Sequence, residues 1–259
     1  MRLRAPSALC LRGRRTAAAS ARPCSTVSSG SSLLVGVDSG TQSTKACVFD
    51  SATGALLAEA SSAQAITSPR DGYAEQDIAE WRTGVFASIR DALAAVPAER
   101  RGGAVAAIGL SFQRESFTLI APSSSCAPLV PLRPAILWLD GRASGEVEAL
   151  RLGGSSQVSA EQYHQATGKP LDVTSAMARM RWLADNEPAL LHTAAGPTPF
   201  QWVDCGAVLS HALTGRLATC VAGADTCGLI DLHRRQWSLP ILEAAGLELQ
   251  ARRAIPTTT

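Results

Sequence analysis

The fold is decided by residues 33–49, LLVGVDSGTQSTKACVF. The two apolar runs in this stretch, Leu33 to Val37 and Ala46 to Phe49, have the length and composition of buried strands. A third run, Ala55 to Ala60, follows a turn at Ser51 to Gly54. Three closely spaced strands joined by tight turns predict an antiparallel meander at the start of the globular region.

Helices and strands alternate in the sequence that follows. Apolar residues recur every three or four positions between Asp77 and Ala95, which predicts an amphipathic helix with Asp77 as its N-cap. Further strands are predicted at Val105 to Leu110, Phe117 to Ile120 and Ala135 to Leu139, and further helices at about Val173 to Asn186 and Asp204 to Leu213. This alternation is typical of the α/β class.

Charge is distributed unevenly along the 259 residues. The formal net charge is +2, but six arginines and no acidic residue precede Asp38, so the remainder is slightly acidic. A slightly acidic body has no electrostatic footprint for nucleic acid, and we expect no nucleic-acid partner. With 46% hydrophobic and 18% charged residues, the chain can bury a core of ordinary size.

The cysteines and the apolar runs argue against two further classes. Seven cysteines are scattered without a CxxC pair or a Cys/His cluster at metal-ligand spacing, which favours reduced, structural thiols. No uninterrupted apolar run approaches the roughly 18 to 20 residues that a membrane-spanning helix needs. We therefore expect no membrane partner.

Residues 1–32 have the composition of a targeting segment. They are rich in Arg, Ala and Ser, contain no acidic residue and lack the long apolar stretch of a secretory signal. This predicts an organellar transit peptide, with a mitochondrial location as the first expectation and a plastid as an alternative. A disordered tail on a cytoplasmic protein is the other interpretation that the composition allows.

The turn between the first two strands has the chemistry to bind a phosphate. Gly40 permits close approach of the backbone, neighbouring N–H groups and the Thr41 hydroxyl can donate to phosphate oxygens, and Asp38 can hold Mg²⁺. The candidate phosphate-binding residues are Asp38, Gly40, Thr41, Gln42 and Lys45, with Asp38 as the metal-binding residue. A strand followed by an ordinary Asp/Gly turn has the same appearance, so this motif alone does not decide the function.

Two later segments carry polar and aromatic side chains at or near predicted strand ends. Gln113-Arg114-Glu115 follows a predicted strand, and a carboxylate beside a guanidinium can accept from and donate to hydroxyl groups. Trp138 offers an apolar wall and Asp140 a carboxylate. A surface Arg–Glu ion pair and a buried core tryptophan are the alternatives.

These segments resemble known families. The strand, Asp-x-Gly-Thr turn and second strand resemble the phosphate-handling hairpin of the actin-like ATPase superfamily. From about Leu33 to the end, the chain is similar to the N-terminal half of the FGGY carbohydrate kinases. The matching segments are Gly72 to Asp77, Gln113 to Glu115, Arg133 to Arg142, Thr167 to Pro188 and Leu209 to Arg216. A chaperone- or actin-like ATPase shares only the first hairpin.

The resemblance implies an actin-like ATPase (ribonuclease H-like) domain at residues 33–259, an α/β fold with a mixed sheet and helices on both faces. It implies phosphorylation of a sugar, a pentulose such as xylulose or a polyol, with ATP and Mg²⁺ as cofactors. By the same resemblance, Gln113, Arg114, Glu115, Trp138 and Asp140 bind the substrate. A homodimer is possible in the full-length enzyme.

The resemblance also has departures. Thr174 stands where glycerol kinases have a substrate-contacting tyrosine, and the region around Cys220 lacks their acidic residue. The family's general base lies in a second actin-like domain, in a G-x-x-D-[NQ]-x-x-A segment that does not occur after Leu247. We expect no catalytic base in these residues and negligible phosphorylation by this polypeptide alone. A non-catalytic module that binds sugar or a partner is the alternative.

Overall fold

The computed structural model describes residues 32–122, 127–152, 158–193, 196–197, 200–247 and 257–258. The transit-peptide prediction for residues 1–32 lies almost wholly outside these ranges. Within them, no helix is long and apolar enough to cross a membrane.

The described elements alternate in type along the chain. The strands are β1 (Leu33–Ser39), β2 (Ser43–Asp50), β3 (Leu56–Ala63), β4 (Glu75–Gln76), β5 (Val105–Phe112), β6 (Phe117–Ile120), β7 (Ala135–Ile136), β8 (His192–Thr193), β9 (Gly196–Pro197), β10 (Gln201–Asp204), β11 (Ala218–Thr219), β12 (Ile230–Asp231), β13 (Gln236–Trp237) and β14 (Thr257–Thr258). The helices are α1 (Ile78–Ala95), α2 (Ser144–Arg151), α3 (Ala160–Thr167), α4 (Ala176–Asn186), α5 (Cys205–Thr214), α6 (Val221–Thr226) and α7 (Leu239–Ala244), with a 3₁₀ turn at Pro188–Leu190.

The main sheet has the strand order β3-β2-β1-β5 and is mixed. Strands β1, β2 and β3 pair antiparallel, which confirms the predicted meander, and β5 adds to β1 in parallel. A parallel neighbour requires a long crossover connection, and α1 lies in that connection, between β3 and β5. The α/β class and the mixed sheet are therefore as predicted.

One hydrophobic core lies between the main sheet and two helices. Alternate residues of β1 are buried, and they pack with apolar residues of β2, α1 and α5. Helix α1 begins after Asp77, whose carboxylate accepts from the Ala79 amide, as the predicted N-cap should. The opposite face of β1 is open at Leu34 and Asp38, so the helices of the described part cover one face of this sheet.

Strand β5 differs from its prediction as a buried strand. It is longer, Val105–Phe112, and most of its residues are exposed, with Val105 at 40% and Ile108 at 43% of their full accessibility. Its sequence is apolar enough for burial. Among the described strands it is an edge strand with β1 as its partner, so burial depends on neighbours that the local sequence does not specify.

A second core surrounds the sheet of order β10-β6-β7-β4. It is built from β6, β10 and the helices α2, α3, α4 and α7. The predicted strand at Ala135 to Leu139 ends at Ile136, because the chain turns there and the Asp140 amide donates to the Leu137 carbonyl. Helix α4 begins later than predicted, since the Asp172 carboxylate accepts from the Thr174 amide and hydroxyl and forms a turn.

His211 makes stability depend on pH. It lies on α5 with its Nε2 atom lacking a hydrogen-bond partner in the described part, and burial and the Arg82 charge lower its pKa. A lowered folded-state pKa means that stability is fully present above about pH 6.5, the unfolded-state value, and is lost as pH falls through the folded pKa. We expect His211→Gln to flatten the pH dependence of the unfolding free energy below pH ~6.5, measured by urea titration. An unchanged slope would contradict this assignment.

Candidate functional site

The two predicted binding segments meet at the carboxyl ends of β1 and β5. Because the strands are parallel, Asp38 lies beside Ser111 and Ser39 beside Phe112. The amide of Gln113 then donates to the Ser39 carbonyl at 2.8 Å. The structure thus brings the Asp-Ser-Gly-Thr turn next to Gln113-Arg114-Glu115, at the edge of the sheet where α/β proteins commonly bind ligands.

The turn after β1 presents unused polar groups. Asp38 is exposed and its carboxylate has no partner among the described residues. The amides of Thr41 and Gln42 donate to no backbone group in the same part of the chain, whereas the Gly40 amide donates across the hairpin to Ser43 O at 2.9 Å. A free carboxylate beside two free N–H groups fits a Mg²⁺–phosphate ligand.

Gly40 and Lys45 have different roles from those predicted. Gly40 does not have a positive φ, and its amide is used within the hairpin, so it supplies no N–H group to a phosphate. Lys45 lies opposite Asp38 on the same face of the hairpin, but its ammonium pairs with Glu59 at 2.8 Å. The hydrogen bond to Glu59 raises the Lys45 pKa. A phosphate would have to compete with Glu59 for this cation.

Arg114 and Glu115 differ in how freely they can meet a ligand. Arg114 is exposed and makes no contact that involves its charge within the described ranges. The Glu115 carboxylate is only 17% exposed and pairs with the Lys169 ammonium. Glu115 also has φ = 64°, a left-handed conformation that is costly for a residue with a Cβ atom. Such strain is more common at functional sites than elsewhere.

Trp138 joins the two halves of the site. Its indole Nε1 donates to the Thr41 hydroxyl at 2.9 Å, and its amide donates to Ser116 Oγ at 3.1 Å. The side chain is 40% exposed, so it is not the core residue that the alternative interpretation proposed. Its ring can form a wall between the phosphate turn and the strand end that carries Glu115.

Asp140 is buried, in contrast to its predicted contact with substrate. It is 0% exposed, and its two oxygens accept four hydrogen bonds, one from the Ala74 amide and three from the amide and guanidinium of Arg142. No oxygen of Asp140 is left for a sugar hydroxyl in this arrangement. Gln113 is likewise occupied, since it donates to Gln76 at 2.9 Å and accepts from Ser116 at 3.0 Å. Both side chains support the site from behind.

Sequence reasoning missed Gln76, which ties the site together. Gln76 is 0% exposed, donates to Thr41 O at 2.6 Å and accepts from the Trp81 indole and from Gln113. Its signal in the sequence was its place in the Gly72 to Asp77 segment, immediately before the α1 N-cap. A buried amide with three protein partners fixes the turn relative to the Gln113 loop.

A buried ion cluster stands beside Gln76. Glu75 Oε1 accepts from Arg133 at 2.5 Å and from Arg142 at 2.6 Å, and Arg142 lies over the Tyr73 ring at 4.1 Å. A cavity of about 410 Å³ opens here, lined by residues that include Arg70, Tyr73, Glu75, Arg142 and Trp182. None of the predicted sugar-binding side chains lines this cavity, and Glu75, Arg133 and Arg142 in its lining already pair with one another.

The fold and the site together define a class. An α/β domain with a free Asp, a phosphate-type turn and the adjacent Arg114 and Glu115 at one sheet edge agrees with the resemblance of the sequence to the actin-like sugar kinases. The chain belongs to the FGGY family of carbohydrate kinases, since the profile of the N-terminal domain of that family matches residues 33–257.

Curated relatives agree with this assignment. The chain is 33% identical over 216 residues to a glycerol kinase of Aromatoleum aromaticum, which covers 82% of this chain and 40% of that protein. It is 28% identical over 222 residues to a probable glycerol kinase of Caenorhabditis elegans, covering 84% of this chain and 42% of that protein. The chain therefore spans about 40% of the length of the curated relatives that it matches.

Solved structures show the same fold. Xylulose kinase from Rhodospirillum rubrum superposes with a TM-score of 0.73 at 23% identity, over 88% of this chain and 42% of that one. Glycerol kinase from Plasmodium falciparum, solved with ADP, gives a TM-score of 0.72 at 20% identity, over 87% of this chain and 42% of that one. The actin-like fold that the sequence predicted is thereby confirmed.

Proposed function

We propose that this domain forms the sugar- and phosphate-binding part of an ATP-dependent carbohydrate kinase. The observation that carries the proposal is the hydrogen bond from the Trp138 indole to the Thr41 hydroxyl, at 2.9 Å. It places an apolar wall for a sugar directly against the turn that suits a phosphate. A kinase needs these two ligands side by side, because the substrate hydroxyl attacks the transferred phosphoryl group.

Each accessible residue has a role in this proposal. Asp38 would hold the Mg²⁺ that accompanies the nucleotide phosphates, and the Thr41 and Gln42 amides, which have no backbone acceptor among the described residues, would donate to phosphate oxygens. Arg114 donates to sugar hydroxyls and Glu115 accepts from them, as the resemblance implies. Bound metal supplies charge neutralisation at the phosphates when the nucleotide is present. Asp140 and Gln113 hold the neighbouring backbone.

The substrate that we propose is a pentulose such as xylulose, or a polyol. The curated relatives named above are glycerol kinases, and the solved structures include xylulose and glycerol kinases. Thr174 stands where the resemblance places a tyrosine in glycerol kinases, and its carbonyl accepts from the same Arg179 nitrogen as that of Glu115, so a smaller side chain there favours the larger substrate. Both classes present vicinal hydroxyls to the Arg114 and Glu115 pair.

We also propose that this polypeptide alone binds sugar without phosphorylating it at an appreciable rate. A general base near the attacking hydroxyl is needed, and the family's full G-x-x-D-[NQ]-x-x-A segment does not occur in the 259 residues. Isothermal titration of the full chain with xylulose, ribulose and glycerol, followed by an ATP turnover assay, tests both statements. Sugar binding without turnover is the expected result.

Glu115→Ala is expected to weaken sugar binding at least about tenfold, because a charged hydrogen bond to a hydroxyl contributes about 1.5–3 kcal/mol. Glu59→Ala is the matched control, since Glu59 is an exposed carboxylate paired with Lys45, outside the proposed sugar contacts. Equal affinity of the two variants would contradict the role of Glu115. A folded wild-type chain that binds none of the three sugars would contradict the proposed site, and turnover would contradict the lack of a base.

The second candidate is a non-catalytic module that binds a protein partner, favoured by one observation. Strand β5 leaves Val105 and Ile108 exposed at the edge of the sheet, where an added strand could pair. Sugar binding that depends on Glu115 would favour the kinase domain. A chain that is dimeric or partner-bound and indifferent to all three sugars would favour the module.

A further inference from the structure

Arg179 is a buried cation without a carboxylate partner in the described part of the chain. It lies on α4, is 0% exposed, and forms no ion pair there. Burial lowers its pKa to about 10, so it remains charged at neutral pH. A buried charge normally requires an opposite charge; among the described residues no carboxylate contacts this guanidinium, and Asp140 and Glu115 act on it only at longer range.

Backbone carbonyls take the place of the missing carboxylate. The Arg179 guanidinium donates to Leu137 O at 2.7 Å, to Glu115 O at 2.6 Å and to Thr174 O. The centroid of the Phe117 ring lies 5.4 Å from the central guanidinium carbon of Arg179, and the ring quadrupole attracts the positive charge. Carbonyl dipoles and an aromatic face together offset the cost of burying the charge.

The three carbonyls belong to three segments that are far apart in sequence and meet at the candidate site. One is the carbonyl of Glu115 itself, the second belongs to the residue before Trp138, and the third is that of Thr174, beside Glu115 in the proposed site. A planar guanidinium with five donors can hold three acceptors in a fixed arrangement, whereas an ammonium cannot match that geometry.

The strained backbone of Glu115 makes this contact more significant. A left-handed glutamate persists only where its surroundings hold it, and its φ is 64°. Arg179 holds the carbonyl of Glu115, while Lys169 holds its carboxylate and also donates to Thr226 O. Glu115 is therefore fixed at two points by cations from α4 and from the loop before it.

We propose that Arg179 is a positioning residue that sets the sugar-binding segments in register with one another. It touches no ligand itself and acts through the backbone of Glu115, Leu137 and Thr174. The expected effect on sugar binding rests on the proposed function. The effect of Arg179 on the positions of the three segments can be measured without any sugar. The alternative is that Arg179 only stabilises the packing of the second core.

The experiment compares Arg179→Lys and Arg179→Met with wild type by ¹H–¹⁵N correlation spectra of the full chain. The reporters are the Trp138 indole N–H, identified with Trp138→Phe, and the Glu115 amide. The Trp81 indole, which donates to Gln76, reports on the other core. Arg181→Lys is the matched control, since Arg181 is on the same helix but pairs with Asp185 at the surface.

Arg179→Lys is expected to keep a dispersed spectrum and an unchanged Trp81 resonance, while the Trp138 indole and Glu115 amide shift and exchange faster with solvent. Arg179→Met should enlarge the same changes, and Arg181→Lys should show none. Sugar affinity should fall about tenfold in Arg179→Lys, which corresponds to 1.4 kcal/mol, with Arg181→Lys at the wild-type value.

Two results would overturn the proposal. One is that the Trp138 indole resonance and the Glu115 amide resonance are unchanged in both Arg179 variants. The other is loss of dispersion throughout the spectrum in both, which would make Arg179 a general support of the fold. If wild type bound no sugar, the proposed function would fail, and the resonances would still decide the role of Arg179.

Discussion

Glu75→Gln is expected to lower the free energy of unfolding by about 3 kcal/mol, since removing one member of a buried ion pair usually costs 3–5 kcal/mol. Glu75 Oε1 accepts from both Arg133 and Arg142, whose side chains are 7% and 1% exposed. The value lies at the lower end of the range because Glu187 and Asp140 still pair with these two arginines. A neutral amide in place of the Glu75 carboxylate would remove the negative charge that lies between the two guanidinium groups.

The measurement is urea unfolding of wild type and Glu75→Gln, followed by far-UV circular dichroism. Glu59→Gln makes the same chemical change at an exposed pair, where both side chains are about half accessible, and should leave the unfolding midpoint unchanged. Equal midpoints for the two variants would show that the Glu75 cluster does not stabilise the fold. Because Glu75 adjoins Gln76, weaker sugar binding is a further expected result.

Gly228→Ala is expected to cost about 3 kcal/mol or more, which is typical of overpacking combined with backbone strain. Gly228 has φ = 68°, and an added Cβ atom would lie 1.9 Å from the Tyr163 hydroxyl oxygen. Tyr163 is fully buried and its hydroxyl shares a hydrogen bond of 2.8 Å with Ser175, so the ring cannot easily move away. Burial raises the pKa of Tyr163 to about 12, which keeps this hydroxyl protonated at neutral pH.

Two further variants separate the collision from the strain. Gly54→Ala has a similar φ of 72° with nothing within 4 Å of the added atom, so it should cost only the roughly 1 kcal/mol of the left-handed conformation. In a Tyr163→Phe background, which removes the colliding oxygen, Gly228→Ala should cost clearly less than in wild type. A Gly228→Ala cost equal to that of Gly54→Ala, by thermal or urea unfolding, would contradict the collision.

The local sequence predicted the elements whose causes are local. The β1 to β3 meander, β6, α1 with its Asp77 cap and the helix α5 follow from apolar periodicity, turn residues and capping groups within a few positions. Boundaries were missed where a local turn delayed the start of an element or brought its end forward. Asp172 delays the start of α4, and the turn at Asp140 shortens β7.

The structure brings some of the predicted site residues together and leaves others without a free polar group. The family resemblance indicated Arg114, Glu115 and Trp138, and the structure brings these near Thr41 and Asp38 through the parallel pairing of β1 and β5. Asp140 has the same chemistry as Glu115, yet Arg142 and Ala74 occupy its oxygens. Residue type cannot distinguish a carboxylate that meets solvent from one that meets a buried guanidinium.

The sequence by itself therefore determined the α/β class, the phosphate-type turn and the family, because these depend on periodicity and on motifs of contiguous residues. Only the tertiary structure decided which polar side chains are free. Gln76 donates to a carbonyl that lies 35 positions away in the chain. Two of the three carbonyls that Arg179 bonds lie 42 and 64 positions away, and the third lies 5 positions away. Hydrogen bonds of that range are set by packing of separate elements, and no local pattern of residues specifies them.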